Sequence, residues 1–379
     1  MKGEKSNMGE QKIYVITRHA IINHGSILQS LATISFFEKL GYSCEVIDYI
    51  NEKEVFPNII NSLLSTNKNW SKNWIKRIIY KIIKYPSLSI GTKKFAKYRN
   101  ELLKMTRPFT SLSELKEYEF GDGVLCSGSD QLWGPISDGS FDTAYFLDFG
   151  KNNTKIAFSS SIGRSVSYDS KISHLLSNYE WISTREIQAA DFIKKNYNDN
   201  VFNIYDPTLM VESQFWIDFI NNDKINDDYV LVYKIHENKE FENFIKCFSK
   251  KKKIKVRRII NALDDFSSYG KKEFLVHPKR FLSLIKNAKY ILTDSFHCVQ
   301  FSVIFQKKFM VVSPGKTSVR ITDFLSEIGM LNNYVDTSFD LDFFEKQSLN
   351  YDDALKIINM KKNKYIQTIK SKIHDLKVE

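Results

Sequence analysis

Four polar residues near the middle of the second half of the chain have types that could carry chemistry. Thr293, Asp294, Ser295 and His297 follow an apolar run at 290–292, and apolar residues at helical spacing come after them. This pattern predicts a strand, a loop and a helix. Loops at the carboxyl ends of parallel strands line ligand crevices, and the first amides of a helix can bind an anion. A histidine there could move protons near neutral pH, although one that only caps or packs in a core would show the same pattern.

The first half of the chain repeats this arrangement of a strand followed by polar residues. A strand at 12–16, a helix at 26–40 ended by Gly41 and a strand at 44–49 predict a β-α-β unit, so we expect a parallel sheet. Further strands are predicted at 123–127, 155–158, 181–184 and 201–204. The residues that follow these strands are Ser129, Asp130, Gln131, Ser159, Ser160, Ser161, Arg185, Glu186 and Asp206. A series this regular is hard to explain by helix caps and turns alone.

A second alternation begins after a hydrophilic linker at 221–228. Strands are predicted at 229–235, 254–260, 290–292 and 309–312, with helices at 240–248 and 278–288 and a Lys-rich helical region from about 342. The loop 313–318 contains Gly315, Lys316 and Thr317, but Met310 occupies the position where a phosphate loop needs glycine. Arg320 follows at a predicted helix start. The fold class predicted is α/β, with two doubly wound Rossmann-like domains facing across a cleft in a GT-B-like arrangement, at 1–212 and 213–379.

Composition supports a two-domain globular protein of 379 residues. The four cysteines are far apart and form no C-x-x-C pair, which argues against a zinc site or a disulfide framework and for a reducing compartment. No run approaches the roughly 18 apolar residues of a membrane span. We therefore expect a cytoplasmic protein. G-x-G-x-x-G is absent, so the sequence carries no dinucleotide fingerprint.

The net charge of +11 comes mostly from one segment, a basic helical insertion at about 60–104. Between 64 and 104, eleven basic residues face the single acid Glu101, and Trp70, Trp74 and five isoleucines lie between the charges. An anionic membrane or a phosphate-bearing partner would suit this pattern, but so would a solvated helix that packs its isoleucines on the domain. Nucleic acid is not expected, because no binding motif accompanies the charge.

In their order along residues 12–325, several short motifs resemble those of the polysaccharide pyruvyl transferases. These are Asn23-x-Gly25-x-x-Leu28-Gln29, Gly128-Ser129-Asp130-Gln131-x-Trp133, Ser183-x-Arg185-Glu186, Asp206-Pro207-Thr208, Thr293-Asp294-Ser295-Phe296-His297 and Phe301-Ser302. The resemblance implies transfer of the enolpyruvyl group of phosphoenolpyruvate to a sugar, which gives a pyruvate ketal and phosphate without a metal or cofactor.

The resemblance also suggests roles for individual residues. Arg185 would bind the phosphate or carboxylate of phosphoenolpyruvate, because a guanidinium binds such groups at two points, unless it pairs instead with Glu186 or another nearby acid. His297 would protonate the methylene carbon or the departing phosphate, or bind the phosphate by its charge. Ser295 and the amides after His297 would complete the anion site, with Arg320 as a further candidate for the same role. Asp130 would deprotonate the sugar hydroxyl.

On the acceptor side of the cleft we expect four further residues: Asn23, Gly25, Ser129 and Gln131. For Asp206 a structural turn is the favoured interpretation. The family usually has glycine where this chain has Cys298, so that side chain must either point away from the donor pocket or narrow it.

The predicted activity is therefore decoration of a capsular or other surface polysaccharide precursor. Its acceptor would be linked to a lipid pyrophosphate and reached at the inner face of the membrane, with the segment 64–104 contacting anionic lipid. Two alternatives stay open: a nucleotide-sugar-dependent GT-B glycosyltransferase, or a non-catalytic relative that binds a glycan. The first lacks a recognisable diphosphate loop in the sequence, and the second would release no phosphate from phosphoenolpyruvate.

Overall fold

The computed structural model describes most of the chain. The described residues are 11–136, 139–163, 166–220, 225, 227–236, 238–263, 269–313, 319–335, 344, 346 and 349–375. Most of the predicted linker at 221–228 lies outside them, as do Gly315, Lys316 and Thr317.

The first half forms a seven-stranded parallel sheet. Its strands are β1 (Lys12–Ile16), β2 (Ser43–Tyr49), β3 (Met105–Phe109), β4 (Val124–Ser127), β5 (Lys155–Ser160), β6 (Trp181–Thr184) and β7 (Val201–Asn203). They lie in the order β3-β2-β1-β4-β5-β6-β7, so the direction of winding reverses between β1 and β4. Ile13 and Val15 face one hydrophobic core and Tyr14 and Ile16 face another, as expected for a sheet covered on both sides.

Nine α-helices belong to this half among the described residues, which also contain a 3-10 helix at Thr143–Phe146. They are α1 (His24–Lys39), α2 (Ile59–Thr66), α3 (Lys68–Ser71), α4 (Trp74–Leu102), α5 (Leu112–Glu117), α6 (Ser170–Ser177), α7 (Ile187–Asn196), α8 (Pro207–Met210) and α9 (Ser213–Phe219). The cap of α1 is Asn23, whose side chain accepts a hydrogen bond from the backbone N–H of Gly25 at 2.8 Å.

The second half forms a six-stranded parallel sheet. Its strands are β8 (Tyr229–Tyr233), β9 (Lys255–Ile260), β10 (Lys271–Phe274), β11 (Tyr290–Thr293), β12 (Phe309–Val312) and β13 (Tyr334–Val335), in the order β10-β9-β8-β11-β12-β13. Its helices are α10 (Lys239–Lys252), α11 (Pro278–Asn287), α12 (Phe296–Ile304), α13 (Val319–Glu327) and α14 (Tyr351–Asp375).

Both sheets therefore show the doubly wound order of a Rossmann-like fold, which confirms the predicted fold class. Three strands were not predicted: β3, β10 and β13. Each of them lies at the edge of a sheet. The domain boundary at 212/213 stays a prediction.

Helix α1 connects the two halves. One hydrophobic core runs from Val15 through Ile27 to Leu231 of the second sheet. At the start of α1, His24 Nε2 lies 2.8 Å from the carbonyl oxygen of Val276, and its ring stacks on Phe281 with the ring centroids 4.5 Å apart. These contacts fix the second sheet relative to the first.

Two other helices add to this connection. The Tyr98 hydroxyl of α4 donates to the carbonyl oxygen of Leu275 at 2.8 Å. Helix α14 returns to the first half, where Lys362 Nζ lies 3.0 Å from a carboxylate oxygen of Glu212.

The basic insertion contains α2, α3 and most of α4. In its first half, α4 exposes its isoleucines to solvent, so the expectation that they pack on the domain is wrong. No helix within the described ranges is long and apolar enough to cross a membrane.

Candidate active site

The carboxyl ends of strands from both sheets meet at one cleft. Ser129 and Asp130 follow β4, Arg185 follows β6, and His297 lies in the first turn of α12, after β11. The structure brings these four sequence-predicted residues together, and each acquires partners from other elements.

The loop after β4 is held from both sides of the β1/β4 reversal point. The Thr17 hydroxyl donates to the carbonyl oxygen of Ser129 at 2.6 Å, and the Gln29 side chain donates to Thr17 Oγ1 at 2.9 Å. On the other side, the backbone N–H of Ser161 donates to the carbonyl oxygen of Asp130 at 3.1 Å. Residues that follow β1 and β5, together with α1, thus fix one short loop.

Arg185 is buried beside a single carboxylate. Its Nε donates to Ser129 Oγ at 2.9 Å, and its Nη2 also contacts that oxygen. The same Nε lies 2.9 Å from Oδ2 of Asp206. Since the single hydrogen of Nε is directed to Ser129, the contact with Asp206 is an ion pair without a hydrogen bond. Nη1 is buried and has no hydrogen-bond partner among the described residues. One edge of the guanidinium is therefore available to a ligand.

The predicted alternative was a pair with Glu186 or another nearby acid; the pair with Glu186 is not formed, but the pair with Asp206 is. Oε1 of Glu186 instead accepts a hydrogen bond from the Ser161 hydroxyl at 2.5 Å.

Asp206 contacts both Arg185 and His297. Its Oδ1 caps α8 by accepting from the backbone N–H of Thr208 at 2.9 Å and from the Thr208 hydroxyl at 2.7 Å. Its Oδ2 faces Arg185 and lies 3.6 Å from Nε2 of His297. Burial alone would raise the pKa of Asp206, but Arg185, His297 and the Thr208 hydroxyl hold it far below its ordinary value.

The sequence interpretation of Asp206 as a structural turn was thus incomplete. One oxygen of the Asp206 carboxylate does have a structural role, as the cap of α8, but the carboxylate has a second oxygen. Only the fold shows that the second one is directed to Arg185 and His297.

His297 fills the space that a side chain at position 25 would need. A Cβ atom built on Gly25 would lie 2.1 Å from Nδ1 of His297 and 2.5 Å from its Cγ. On the other side of the ring, Nε2 is buried and without a hydrogen-bond partner in the described part of the chain. Gly25 was expected on the acceptor side, and the structure gives it a packing role against the imidazole.

A second guanidinium lies across the same cleft. The Cζ atoms of Arg185 and Arg320 lie 5.8 Å and 5.3 Å from the centre of the Phe296 ring. Burial, with the charge of Arg185 nearby, lowers the pKa of Arg320. Arg320 forms no ion pair with any described residue. The two arginines, Phe296, Tyr205 and Asp206 help to line a cavity of ≈ 340 Å³. The cavity is also lined by Lys361 and by three further acids, Glu186, Asp323 and Glu327, whereas Ser129, Asp130 and His297 are not among the described residues that line it.

Asp130 lies at the same positively charged centre. It has a φ of 90°, which is unusual for a residue with a side chain, and its Oδ2 accepts from the Ser26 hydroxyl at 3.1 Å. Burial would raise its pKa, but Arg185, His297 and Arg320 lower it below the ordinary value. Asp130 is therefore ionised at neutral pH.

The other predicted residues have mainly structural contacts. Asn23 caps α1, and Gln131 packs against Gly163, where an added Cβ would lie 2.4 Å from Nε2 of Gln131. Ser295 precedes α12 and is buried, but its side chain makes no capping bond. Neither Asn23 nor Gln131 lines the ≈ 340 Å³ cavity as far as the described residues define it.

Asp294 fixes the turn after β8. It accepts from the backbone N–H groups of Ile235 and His236 at 2.6 and 2.8 Å.

Cys298 lies in the core and does not narrow the site. Its side chain is fully buried among apolar residues, and burial raises its pKa to about 12. The carbonyl oxygen of Cys298 accepts a hydrogen bond from the Ser302 hydroxyl at 2.7 Å, and the hydrogen-bond partners of the thiol are the side chains of Thr293 and Ser302. The described residues contain no group of three or more His, Cys, Asp or Glu side chains that could hold a metal ion.

A family model described as polysaccharide pyruvyl transferase matches residues 23–316. The chain is also similar in structure to UDP-N-acetylglucosamine 2-epimerase from Rickettsia bellii, with a TM-score of 0.53, 12% identity, and coverage of 96% of this chain and 97% of that one. A Listeria monocytogenes protein named as a candidate UDP-N-acetylglucosamine 2-epimerase gives a TM-score of 0.50 at 9% identity, covering 94% and 91%. At these identities the likeness shows a shared GT-B-like fold. No curated protein sequence matches the chain significantly.

Proposed function

Because the chain belongs to the polysaccharide pyruvyl transferase family, we propose that it transfers the enolpyruvyl group of phosphoenolpyruvate to a sugar of a surface or capsular polysaccharide precursor. The observation that carries the donor assignment is the pair of guanidiniums, Arg185 and Arg320, beside the ring of Phe296. Phosphoenolpyruvate has a phosphate and a carboxylate on one small unsaturated carbon frame. Two arginines and an aromatic ring match those three features.

An unsatisfied hydrogen-bond donor in the site supports an anionic substrate. Arg185 has one close carboxylate, Asp206, which it shares with His297, and its Nη1 has no hydrogen-bond partner among the described residues. The charges of Glu186, Asp130 and Asp206 act on Arg320 without a direct ion pair among the described residues. A phosphate or carboxylate of the donor would accept the hydrogen bond that Nη1 of Arg185 lacks.

The reaction balances with the groups at hand. His297 protonates the methylene carbon, which becomes a methyl group, while a sugar hydroxyl forms a bond to C2 and loses its proton to Asp130. The bond between C2 and the phosphate oxygen then breaks, and phosphate leaves with the electron pair. A second hydroxyl of the same sugar adds to C2 and gives up its proton to His297, which lost its own proton in the first step, and this closes the ketal. Arg185 and Arg320 stabilise the charge that develops on the departing phosphate.

We assign Asp206 a positioning role in this scheme. Its carboxylate faces Nε2 of His297 and Nε of Arg185, so it orients the proton donor and one anion-binding group together. The acceptor is proposed to be carried on a lipid pyrophosphate, with Ser129 and the start of α1 on its side of the cleft. No metal or organic cofactor takes part in these steps.

Calorimetric titration of phosphoenolpyruvate tests the donor assignment. The wild-type protein should bind it, and Arg185→Ala should bind at least about tenfold more weakly, since a charge-assisted bidentate contact is lost. Arg107→Ala, which removes an exposed arginine of β3, is the matched control and should bind normally. His297→Ala should retain binding but lose phosphate release.

A parallel titration with UDP-N-acetylglucosamine separates the alternatives. If the nucleotide sugar binds and phosphoenolpyruvate does not, the family fold is present but the proposed donor is wrong. If phosphoenolpyruvate binds with equal affinity to wild type and Arg185→Ala, the site is misassigned.

A further inference from the structure

The first half of α4 presents an apolar face to solvent. Trp74 is 70% exposed and Ile82 is 66% exposed. Between 41% and 49% of the surface of the four other members of this face is exposed: Ile75, Ile78, Ile79 and Ile83. A surface helix normally buries its apolar residues and exposes its polar ones, so the first half of α4 departs from the usual burial pattern.

The opposite side of the same half-helix is anchored to the protein. Tyr80 is buried with Ile60 and Leu64 of α2, and its ring lies 5.7 Å from that of Trp70. At about 100° per residue, the six apolar residues fall within a sector of roughly 180° centred opposite Tyr80. The helix is thus held by one side while its apolar side points outward.

Basic residues border this face. Lys72, Lys76, Arg77 and Lys81 are exposed, and none of them forms an ion pair in the part of the chain that the structure describes. Acidic residues are absent from the sequence between Glu54 and Glu101. Apolar residues that include tryptophan, bordered by lysine and arginine, are typical of a helix that lies in the interface of an anionic membrane.

We propose that the apolar face of α4, Trp74 to Ile83, inserts into the headgroup region of an anionic lipid bilayer and holds the protein there peripherally. A lipid surface satisfies both features at once, because it accepts the apolar side chains and its negative charge attracts the bordering cations. A second copy of the chain fits less well, since a symmetric contact would bring two strongly basic segments together. This inference does not depend on the proposed reaction.

Co-sedimentation with vesicles tests the proposal. The wild-type protein should pellet with phosphatidylglycerol–phosphatidylethanolamine vesicles, less with phosphatidylcholine vesicles, and less at high salt. The double variant Ile78→Ser, Ile82→Ser should lower the partition coefficient by roughly tenfold or more, because exposed apolar area supplies the insertion. The quadruple variant Lys72→Glu, Lys76→Glu, Arg77→Glu, Lys81→Glu should abolish the preference for anionic vesicles.

Two control variants separate this face from general surface effects. Ile217→Ser with Met360→Ser removes exposed apolar residues elsewhere, and Lys356→Glu with Lys364→Glu reverses charges on α14. Both controls should pellet like the wild type. Circular dichroism should show folded proteins throughout, because none of these positions is buried.

Three results would overturn the proposal. The first is equal sedimentation of the wild type and the double serine variant. The second is equal binding of the wild type to anionic vesicles and to phosphatidylcholine vesicles. The third is an oligomer in sedimentation velocity that the double serine variant dissociates while no vesicle binding is seen, which would assign the face to a second copy.

Discussion

Replacing Gly25 by alanine should displace the side chain of His297 and leave helix α1, which contains position 25, intact. Gly25 is the second residue of α1, and its backbone is not in the left-handed region. Its added Cβ would lie 2.1 Å from Nδ1 of His297, whereas ordinary contact begins at 3.4 Å, so the imidazole must move by at least about 1.3 Å. The substitution therefore perturbs one side chain of the candidate site directly.

The expected size of the effect follows from two opposing terms. Overpacking of this kind costs about 1 to 3 kcal/mol, and replacing glycine by alanine in a helix returns up to about 1 kcal/mol. In the wild-type background we expect a net loss of stability. In a His297→Ala background the clash disappears, so the same substitution should stabilise the protein by up to about 1 kcal/mol.

Thermal and urea denaturation of the four proteins in this double-mutant cycle measure the coupling. The predicted coupling free energy between positions 25 and 297 is about 1 to 3 kcal/mol. Activity should fall about 100-fold in the Gly25→Ala single variant, because a misplacement of about 1 Å at a reacting group has that effect. Gly91→Ala is the matched control: its Cβ would meet only the end of the Ile22 side chain at 2.6 Å, which can rotate away.

Additive stabilities in the cycle would refute the steric argument. So would a Gly25→Ala protein with wild-type phosphate release, since His297 would then either not move or not act.

Three further predictions concern buried polar groups. Asp206→Asn should lower the free energy of unfolding by about 3 to 5 kcal/mol in urea denaturation, because Arg185 and His297 lose their shared carboxylate. Asp169→Asn, which changes a helix cap alone, should cost under about 1 kcal/mol, and equal losses in the two variants would contradict this reasoning. Burial lowers the pKa of His24 from 6.5 to about 4, so at acidic pH the unfolded chain binds a proton at this residue more tightly than the folded protein does. The free energy of unfolding should therefore be highest above pH 6.5 and should fall by up to about 3 kcal/mol as the pH drops to 4. In the His24→Asn variant, the loss of thermal stability between pH 6.5 and 4 that comes from His24 should vanish. If stability falls with pH as steeply as in the wild type, other groups cause the loss. Cys298→Ala should lower stability by about 1 kcal/mol and leave calorimetric binding of phosphoenolpyruvate within about twofold, while a tenfold loss would mean that the thiol shapes the donor pocket.

Interior strands were predictable from the sequence and most edge strands were not. The strands β1, β4, β8 and β11 are covered on both faces and read as short apolar runs. The edge strands β3 and β10 have the sequences Met-Thr-Arg-Pro-Phe and Lys-Lys-Glu-Phe, with mostly exposed or half-buried side chains. Such strands form because a neighbour offers free backbone groups, and the sequence carries little sign of that.

The sequence by itself determined which residue types follow which strands. A parallel sheet brings all its carboxyl ends to one edge, so the sequence placed Ser129, Asp130 and Arg185 at the same edge, while the strand order that sets the distances between them came from the structure. The same pattern of a strand followed by polar residues identified His297 in the second half, and the family motifs assigned it to one site with Arg185; the family was confirmed over residues 23–316.

Only the tertiary structure decided the pairings across the cleft. Asp206 joins Arg185 and His297, and Gly25 makes room for the imidazole, although His297 lies far from these residues along the chain. Local patterns report caps, turns and buried faces, because those depend on neighbours a few residues away. Contacts between the two sheets depend on how the halves pack through α1, and that packing is set by many side chains at once.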